Sequence, residues 1–139
     1  MTKSKPATKT DRTFAKKWAP ELEGEGDGFV QVSTFFLENY HRLKPYPLTH
    51  GEAMFVVHLM QFKWDEAKPF PAYKTIAERM AVSDKTARRF AVSLQGKGYL
   101  QREMRVAQTN RFDLSQLMAA LVNLKNAQMA AKQEKEDKQ

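Results

Sequence analysis

One stretch of the sequence, residues 73–100, decides the fold; it reads YKTIAERMAVSDKTARRFAVSLQGKGYL. Its pattern predicts two short helices, at about Lys74–Met80 and at about Asp84–Gln95, with residues 81–83 between them. The two glycines that follow the second helix stop it, because glycine readily adopts the conformations that end a helix. The stretch therefore predicts two helices joined by a tight three-residue turn.

The second of these helices has two faces of opposite character. Ser83 can cap its start, and apolar side chains recur at i, i+3, i+4 and i+7, namely Ala87, Phe90, Ala91 and Leu94. The opposite face carries polar and basic side chains: Lys85, Thr86, Arg88, Arg89 and, one turn on, Ser93. On the first helix, the small side chain of Ala77 lets the second helix cross close to it. We therefore expect the apolar stripe in the core and the basic face outside.

Two helices are predicted upstream of this stretch. Ser33 can cap a short helix that runs to about Leu43. Thr49 and Glu52 have the spacing of a capping box, which opens a helix over about His50–Lys63. Because this helix is apolar nearly all round, we expect it to be the central buried helix.

A hairpin and a last helix are predicted downstream. Strands at about Tyr99–Arg105 and Arg111–Leu114 flank a polar turn at residues 107–109. Ser115 can cap a final helix whose apolar residues recur at helical spacing. The whole chain then divides into a polar N-terminal tail and linker (1–28), one domain (29–129) and a polar C-terminal tail (130–139).

The positive charge is concentrated in two segments. The chain has 23 Lys and Arg against 16 Asp and Glu, a formal net charge of +7. Residues 74–111 hold nine basic and three acidic side chains, and residues 1–20 hold six basic and one acidic. A surplus placed in this way favours a polyanionic partner and points to the helix–turn–helix stretch as the place of contact.

Helix, three-residue turn, helix and two-stranded hairpin is the element order of a winged helix-turn-helix domain. Residues 73–89 strongly resemble that family, and residues 94–100, LQGKGYL, resemble the end of its recognition helix and the entry to its wing. The resemblance covers roughly residues 48–114 and is closest to the winged-helix domains of plasmid and phage replication initiators and of small bacterial transcription regulators. It implies a mainly α fold: a helical bundle with a two-stranded β wing, plus a C-terminal helix.

The resemblance also implies sites for double-stranded DNA. A recognition helix in the major groove can pair Arg or Lys with guanine. The positions that read bases are then Ser83, Lys85, Thr86, Arg88 and Arg89, with Ser93 one turn on. Contacts to the DNA backbone are expected from Thr75, Lys97, Arg102, Arg105 and Arg111. Asp84 departs from the common pattern. Its carboxylate can accept from a cytosine amine, but stabilisation of the helix N-terminus is the better explanation.

Other chemistries find no support in the sequence. There is no cysteine, so a disulfide, a Cys-based zinc finger and a thiol nucleophile are excluded. The histidines lack metal-ligand spacing, and neither a P-loop nor a GxSxG motif occurs. No apolar run is long enough to span a membrane, and the first residues lack the apolar region of a signal peptide. The aromatic residues Trp64, Phe70 and Tyr73 are expected to pack a loop on the core rather than to stack on bases. We expect no enzyme activity, no cofactor, no metal, and a cytoplasmic, nucleoid-associated protein.

Three functions stay open at this point. The main interpretation is a sequence-specific transcriptional regulator of a bacterium or mobile element. The alternative is a replication-initiation or plasmid and phage maintenance factor that binds repeats at an origin and recruits proteins through its tails. A protein-interaction module with the same fold is disfavoured by the basic face.

The last helix is the expected surface for a homodimer. Two seams run along it: the first is Leu117, Leu121, Leu124 and Gln128, and the second is Met118, Val122 and Lys125. One seam can pack on its own domain and leave the other for a second copy of the chain.

Overall fold

The computed structural model describes residues 19–23, 30–63, 72–103 and 111–137. The chain divides into two units, Met1–Val30 and Gln31–Gln139. Within the first unit, the only described element is a 3-10 turn at Pro20–Glu23. Most of the predicted N-terminal tail therefore lies outside the described residues, as do Trp64, Phe70 and Arg105.

The second unit is mainly helical and contains a small antiparallel sheet. In chain order, its described elements are α1 (Thr34–Asn39), a 3-10 turn (Tyr40–Arg42), α2 (His50–Lys63), α3 (Tyr73–Met80), α4 (Asp84–Gly96), β1 (Gln101–Glu103), β2 (Arg111–Asp113) and α5 (Ser115–Asp137). This order confirms the predicted mainly α fold with a two-stranded sheet.

Side chains begin the first helices as the sequence predicts. Ser33 Oγ accepts a hydrogen bond from the Phe36 N–H at 3.0 Å and so caps α1. At α2, the Thr49 N–H donates to Glu52 Oε1 at 2.8 Å, and the Glu52 N–H donates to Thr49 Oγ1 at 3.1 Å. This reciprocal pair is the predicted capping box.

The turn between α3 and α4 closes through a residue in the left-handed conformation. Ala81 has φ 57° and ψ 44°, and its N–H donates to the carbonyls of Ala77 and Glu78. The Val82 N–H also donates to Ala77 O, at 3.0 Å. Such bonds satisfy the last carbonyls of a helix, although the conformation costs a residue with a Cβ about 1–2 kcal/mol. The turn therefore fixes the direction in which α4 leaves α3.

Helix α2 lies at the centre of the core, as predicted. Phe55, Val56 and Leu59 are fully buried on it, and it packs against both α3 and α4. Met54 is half exposed, so one side of the helix does reach solvent. Gly51 allows α4 to come close, since a Cβ at this position would lie 2.6 Å from the ring of Phe90.

The hairpin contains the two predicted strands, with β1 beginning later than predicted and residues 104–110 outside the described part of the structure. β1 and β2 have three residues each and pair antiparallel, with Arg102 opposite Phe112. Tyr99, predicted to begin the first strand, lies before β1 and is buried. Its hydroxyl donates to Tyr46 O at 2.5 Å. Because this residue is held against the Pro-rich loop before α2, pairing starts only at Gln101.

One seam of α5 packs on the domain. Leu117 and Leu121 are buried, and the Gln128 side chain donates to Asn39 Oδ1 on α1 at 2.9 Å. On the other seam, Val122 is 57% exposed, and Met129, one turn beyond Lys125, is 60% exposed. Leu124 of the first seam and Met118 of the second are both half-buried, so the contrast lies between buried Leu117 and Leu121 and exposed Val122.

Both ends of α5 differ from the prediction. At its start, Asp113 Oδ1 accepts from the Ser115 N–H at 2.8 Å, so Asp113 takes the capping role expected of Ser115. At its end, the helix continues to Asp137, past the boundary set at residue 129. Ala, Lys, Gln and Glu dominate this polar stretch, and all four are good helix formers. Among the described helices, none has both the length and the apolarity required to cross a membrane.

Candidate nucleic-acid interface

The outward face of α4 is basic and exposed. Lys85, Arg88 and Arg89 are all exposed on it, within its first two turns. Val92, one turn further on, is 65% exposed. We call these four residues the α4 face. The opposite side of the helix is anchored by Ala87, Ala91 and Leu94, which are fully buried, so packing holds the basic side outward.

Ser83 and Thr86 together form the N-cap of α4. Ser83 Oγ accepts from the Thr86 N–H at 3.1 Å and donates to Thr86 Oγ1 at 3.0 Å. Ser83 is exposed and Thr86 is half-buried. Asp84 is exposed in the first turn, where its negative charge is attracted to the positive end of the helix dipole. These residues position the start of the α4 face.

Ser93 and Lys97 both bind Glu52 of α2, and Ser93 also lines the same surface pocket as Lys85, Arg88, Arg89 and Val92. The carboxylate of Glu52 is only 2% exposed. Lys97 Nζ lies 2.6 Å from Glu52 Oε1 and donates to Pro47 O at 2.8 Å, and the Ser93 hydroxyl donates to Glu52 Oε2. A buried carboxylate requires such partners. The sequence assigns these two residues to DNA binding, and the structure shows in addition that they join α4 to α2.

The electrostatics of Glu52 reflect the same contact. Burial by itself raises the pKa of a carboxyl group, since it penalises the charged form. The hydrogen bonds from Lys97, Ser93 and Thr49, together with the positive charge of Lys97, outweigh burial and hold the pKa of Glu52 below its ordinary value. Glu52 is therefore the charged centre of the contact, a role that its capping-box spacing did not reveal.

Tyr73 brings α3, α4 and the hairpin together. The guanidinium carbon of Arg88 lies 5.6 Å from the centre of the Tyr73 ring, and that of Arg102 lies 5.4 Å from it. The ring also meets Phe112 of β2 edge-on, with centroids 5.8 Å apart. The sequence predicts that Tyr73 packs a loop on the core. The ring does pack on the buried Phe112, but from the first residue of α3 and with two arginine side chains near it. No spacing signals this contact, because its members are far apart in the chain.

The remaining predicted DNA contacts are placed as follows. Thr75 is exposed in the first turn of α3. Arg111 is a residue of β2, but its side chain is outside the described part of the structure, and Arg105 is outside it altogether. The structure thus brings Lys85, Arg88, Arg89 and Arg102 together at α4 and the hairpin.

The described residues give no sign of a metal centre. Within 30–63, 72–103 and 111–137, no group of three His, Cys, Asp or Glu side chains is arranged to hold an ion. Burial lowers the pKa of His58, and the nearby charge of Arg79 lowers it further, so this imidazole favours its neutral form. Its surroundings are those of a packed side chain on α2.

Fold and site together define a small helical domain with a basic helix face beside a short hairpin. A family model described as the DnaD N-terminal domain matches residues 32–135, and the chain belongs to that family. It is similar to the crystal structure of the N-terminal domain of DnaD protein from Geobacillus kaustophilus HTA426. The two share 28% identity and a TM-score of 0.61, over 77% of this chain and 88% of that one. No curated protein matches this chain.

This family points to a replication-related function. Of the functions left open by the sequence, the findings therefore support the replication alternative better than transcriptional regulation. The family match also extends almost to the end of α5, so this helix is part of the domain over most of its length.

Proposed function

We propose that this chain is a replication factor whose winged helix-turn-helix binds double-stranded DNA, with α4 as the recognition helix and the hairpin as the wing. The observation that carries the proposal is the exposed α4 face, with Lys85, Arg88 and Arg89 held outward by a packed apolar side. A major groove admits one α-helix, and Lys or Arg there can donate to guanine O6 and N7. Val92 adds an apolar contact of the kind that suits a thymine methyl group.

The capped start of α4 supports the same geometry. The first N–H groups of a helix point along its axis and carry partial positive charge, which favours an approaching phosphate. Thr75, exposed at the start of α3, is placed for a second backbone contact. Base-reading side chains and backbone-binding groups then lie on neighbouring elements, as a helix in a groove requires.

The experiment is selection of bound sequences from random duplex DNA, followed by affinity measurements with variants of exposed residues. Lys85→Ala and Arg89→Ala should each cost on the order of 1–3 kcal/mol on the selected site and relax its base preference. Lys132→Ala is the matched control, because it removes an exposed positive charge from α5. Equal losses in all three variants would contradict a specific interface on α4.

The position of the selected sites separates the two uses of DNA binding. Clustered direct repeats near an origin would support a replication or maintenance factor located at the nucleoid. Sites spread over promoters would contradict a replication factor and support a transcriptional regulator instead.

We also propose that the chain forms a homodimer through α5. The supporting observation is the contrast between its seams: Leu117 and Leu121 are buried within the domain, whereas Val122 and Met129 are more than half exposed. A second copy would cover these apolar side chains and place two recognition helices on one duplex. In this arrangement, the polar end of α5 and the N-terminal tail are the segments that bind protein partners.

A further inference from the structure

An acidic side chain lies among the cations of the proposed DNA interface. One surface pocket on α4 is lined by six residues: Asp84, Lys85, Arg88, Arg89, Val92 and Ser93. Of the described residues that line it, Asp84 is the only acid, and its side chain is exposed. A carboxylate in this place shares the surface that the proposed function assigns to the reading of bases.

The capping of α4 does not use the carboxylate of Asp84. Ser83 Oγ accepts from the Thr86 N–H at 3.1 Å, so the side-chain cap of the helix is supplied by Ser83. Asp84 forms no hydrogen bond or ion pair with any described residue. Attraction to the helix dipole requires only a negative charge near the first turn. Both carboxylate oxygens therefore stay available as acceptors.

The expected partner of Asp84 on α4 is held elsewhere. Side chains four positions apart on a helix are neighbours, and an aspartate commonly pairs with an arginine at that spacing. The guanidinium carbon of Arg88 instead lies 5.6 Å from the centre of the Tyr73 ring, on the side of the hairpin. Tyr73 thus holds away the cation that would neutralise Asp84, and the carboxylate stays unpaired beside the basic side chains.

An acceptor next to donors matches the two bases of a C·G pair. In the major groove, cytosine presents the donor N4 amine, and the guanine paired with it presents the acceptors O6 and N7. A carboxylate accepts from the amine, while a neighbouring Lys or Arg donates to the guanine. Thymine O4 and guanine O6 and N7 offer a carboxylate only acceptors, and adenine places its N7 acceptor beside its amine. An unpaired carboxylate in a groove therefore favours cytosine over the other three bases.

We propose that Asp84 is a specificity-determining residue whose carboxylate accepts a hydrogen bond from the N4 amine of a cytosine in the bound duplex. The inference rests on the proposed function, and it gives Asp84 a role beyond stabilising the start of α4. Its negative charge also repels phosphates, which lowers the affinity for duplexes that lack this cytosine.

The first experiment compares the sequences that the full unmodified chain and Asp84→Asn select from random duplex DNA. The amide keeps the size of the side chain but donates as well as accepts, which suits N6 and N7 of adenine. The unmodified chain should select cytosine at one position. Asp84→Asn should select adenine there or lose the preference, while the other positions stay the same.

Affinity measurements then quantify the change at that position. The unmodified chain should bind the selected duplex about five- to 150-fold more tightly than a duplex with thymine in place of the cytosine, the range for one mismatched base pair. For Asp84→Asn, this ratio should fall to within about twofold, because the amide can accept from the cytosine amine or donate to thymine O4.

Asp84→Ala tests the repulsion of phosphates. Removal of the negative charge should raise the affinity for a scrambled duplex by about two- to fivefold. Glu134→Ala is the matched control, because it removes an exposed acid from α5 and should leave this affinity unchanged. Binding is measured at a temperature at which circular dichroism shows every variant to be folded, since both Asp84 variants lose the attraction to the helix dipole.

The outcomes separate this inference from the proposed function. The inference is overturned if Asp84→Asn and the unmodified chain select the same sequence with equal discrimination, which is the result expected of a residue that only stabilises the helix. DNA binding by Lys85 and Arg89 would stand in that case. If the unmodified chain binds no duplex, the proposed function fails and this inference fails with it.

Discussion

At the scale of single residues, Glu52 has two roles that the sequence shows only in part. Its spacing from Thr49 predicts the capping box, and the structure confirms it. Its contacts with Ser93 and Lys97 were not predictable, since these residues lie more than 40 positions away and a lone lysine on a helix resembles any solvated cation. Tyr73 packs on the buried Phe112, in keeping with its expected role, but its contacts with Arg88 and Arg102 were not predictable, because these residues are far apart in the chain.

The buried carboxylate predicts a stability that depends on pH. Because the folded-state pKa of Glu52 lies below its ordinary value of 4.5, its contribution is fully present above that value and is lost as the pH falls through the lower, folded pKa. Urea denaturation between pH 7 and pH 3 should therefore show a decline below about pH 4.5 that Glu52→Gln reduces.

Two variants show whether the pH dependence of stability comes from the contact between Glu52 and Lys97. Glu52→Gln should destabilise the domain at pH 7 by about 1–3 kcal/mol, because it leaves Lys97 without its anion. Lys97→Ala should also lower stability, yet leave the salt slope of DNA binding unchanged, because its charge is already paired with Glu52. If Glu52→Gln is as stable as the unmodified chain at pH 7, the contact is unimportant.

At the scale of elements, the helices were predictable and the hairpin and the last helix less so. Ser33, Thr49 and Ser83 begin α1, α2 and α4 as expected, because capping depends on residues that are close in sequence. β1 begins two residues later than expected because Tyr99 is buried and bonded to the loop before α2, and this is a tertiary effect. The sequence suggests a shorter α5 because the residues after Met129 are polar, as in a tail, but their high helix propensity continues the helix to Asp137.

The packing of α5 predicts which substitution can separate a dimer. Leu121 is buried in its own domain, so Leu121→Glu should unfold the domain instead of dissociating it. Val122→Glu places the charge on the exposed seam and should dissociate a homodimer while circular dichroism stays unchanged. Sedimentation equilibrium at micromolar concentration checks this. A clean 16.0 kDa species for the unmodified chain, free and with half-site DNA, would contradict the dimer.

At the scale of the whole molecule, charge and fold point to the same region. The surplus of basic residues in 74–111 could be read from the sequence, and the structure places four of its described members, Lys85, Arg88, Arg89 and Arg102, at α4 and the hairpin. The sequence could not decide which of the basic residues serve folding, because Lys97 belongs to the same segment and binds Glu52. Membership of the DnaD N-terminal domain family, in turn, favours replication over the regulator that the sequence alone suggested.

The salt dependence of DNA binding tests the central claim most directly. If the α4 face, the hairpin and the basic N-terminal segment neutralise about 5–7 phosphates, the log–log slope of the association constant against salt should be roughly −4 to −6. A fluorescence anisotropy titration of the selected duplex between about 50 and 200 mM salt gives this slope. A slope in that range, together with weaker binding to a scrambled duplex, is the predicted result. A slope near zero, or equal affinity for both duplexes, would contradict sequence-specific binding through this basic face.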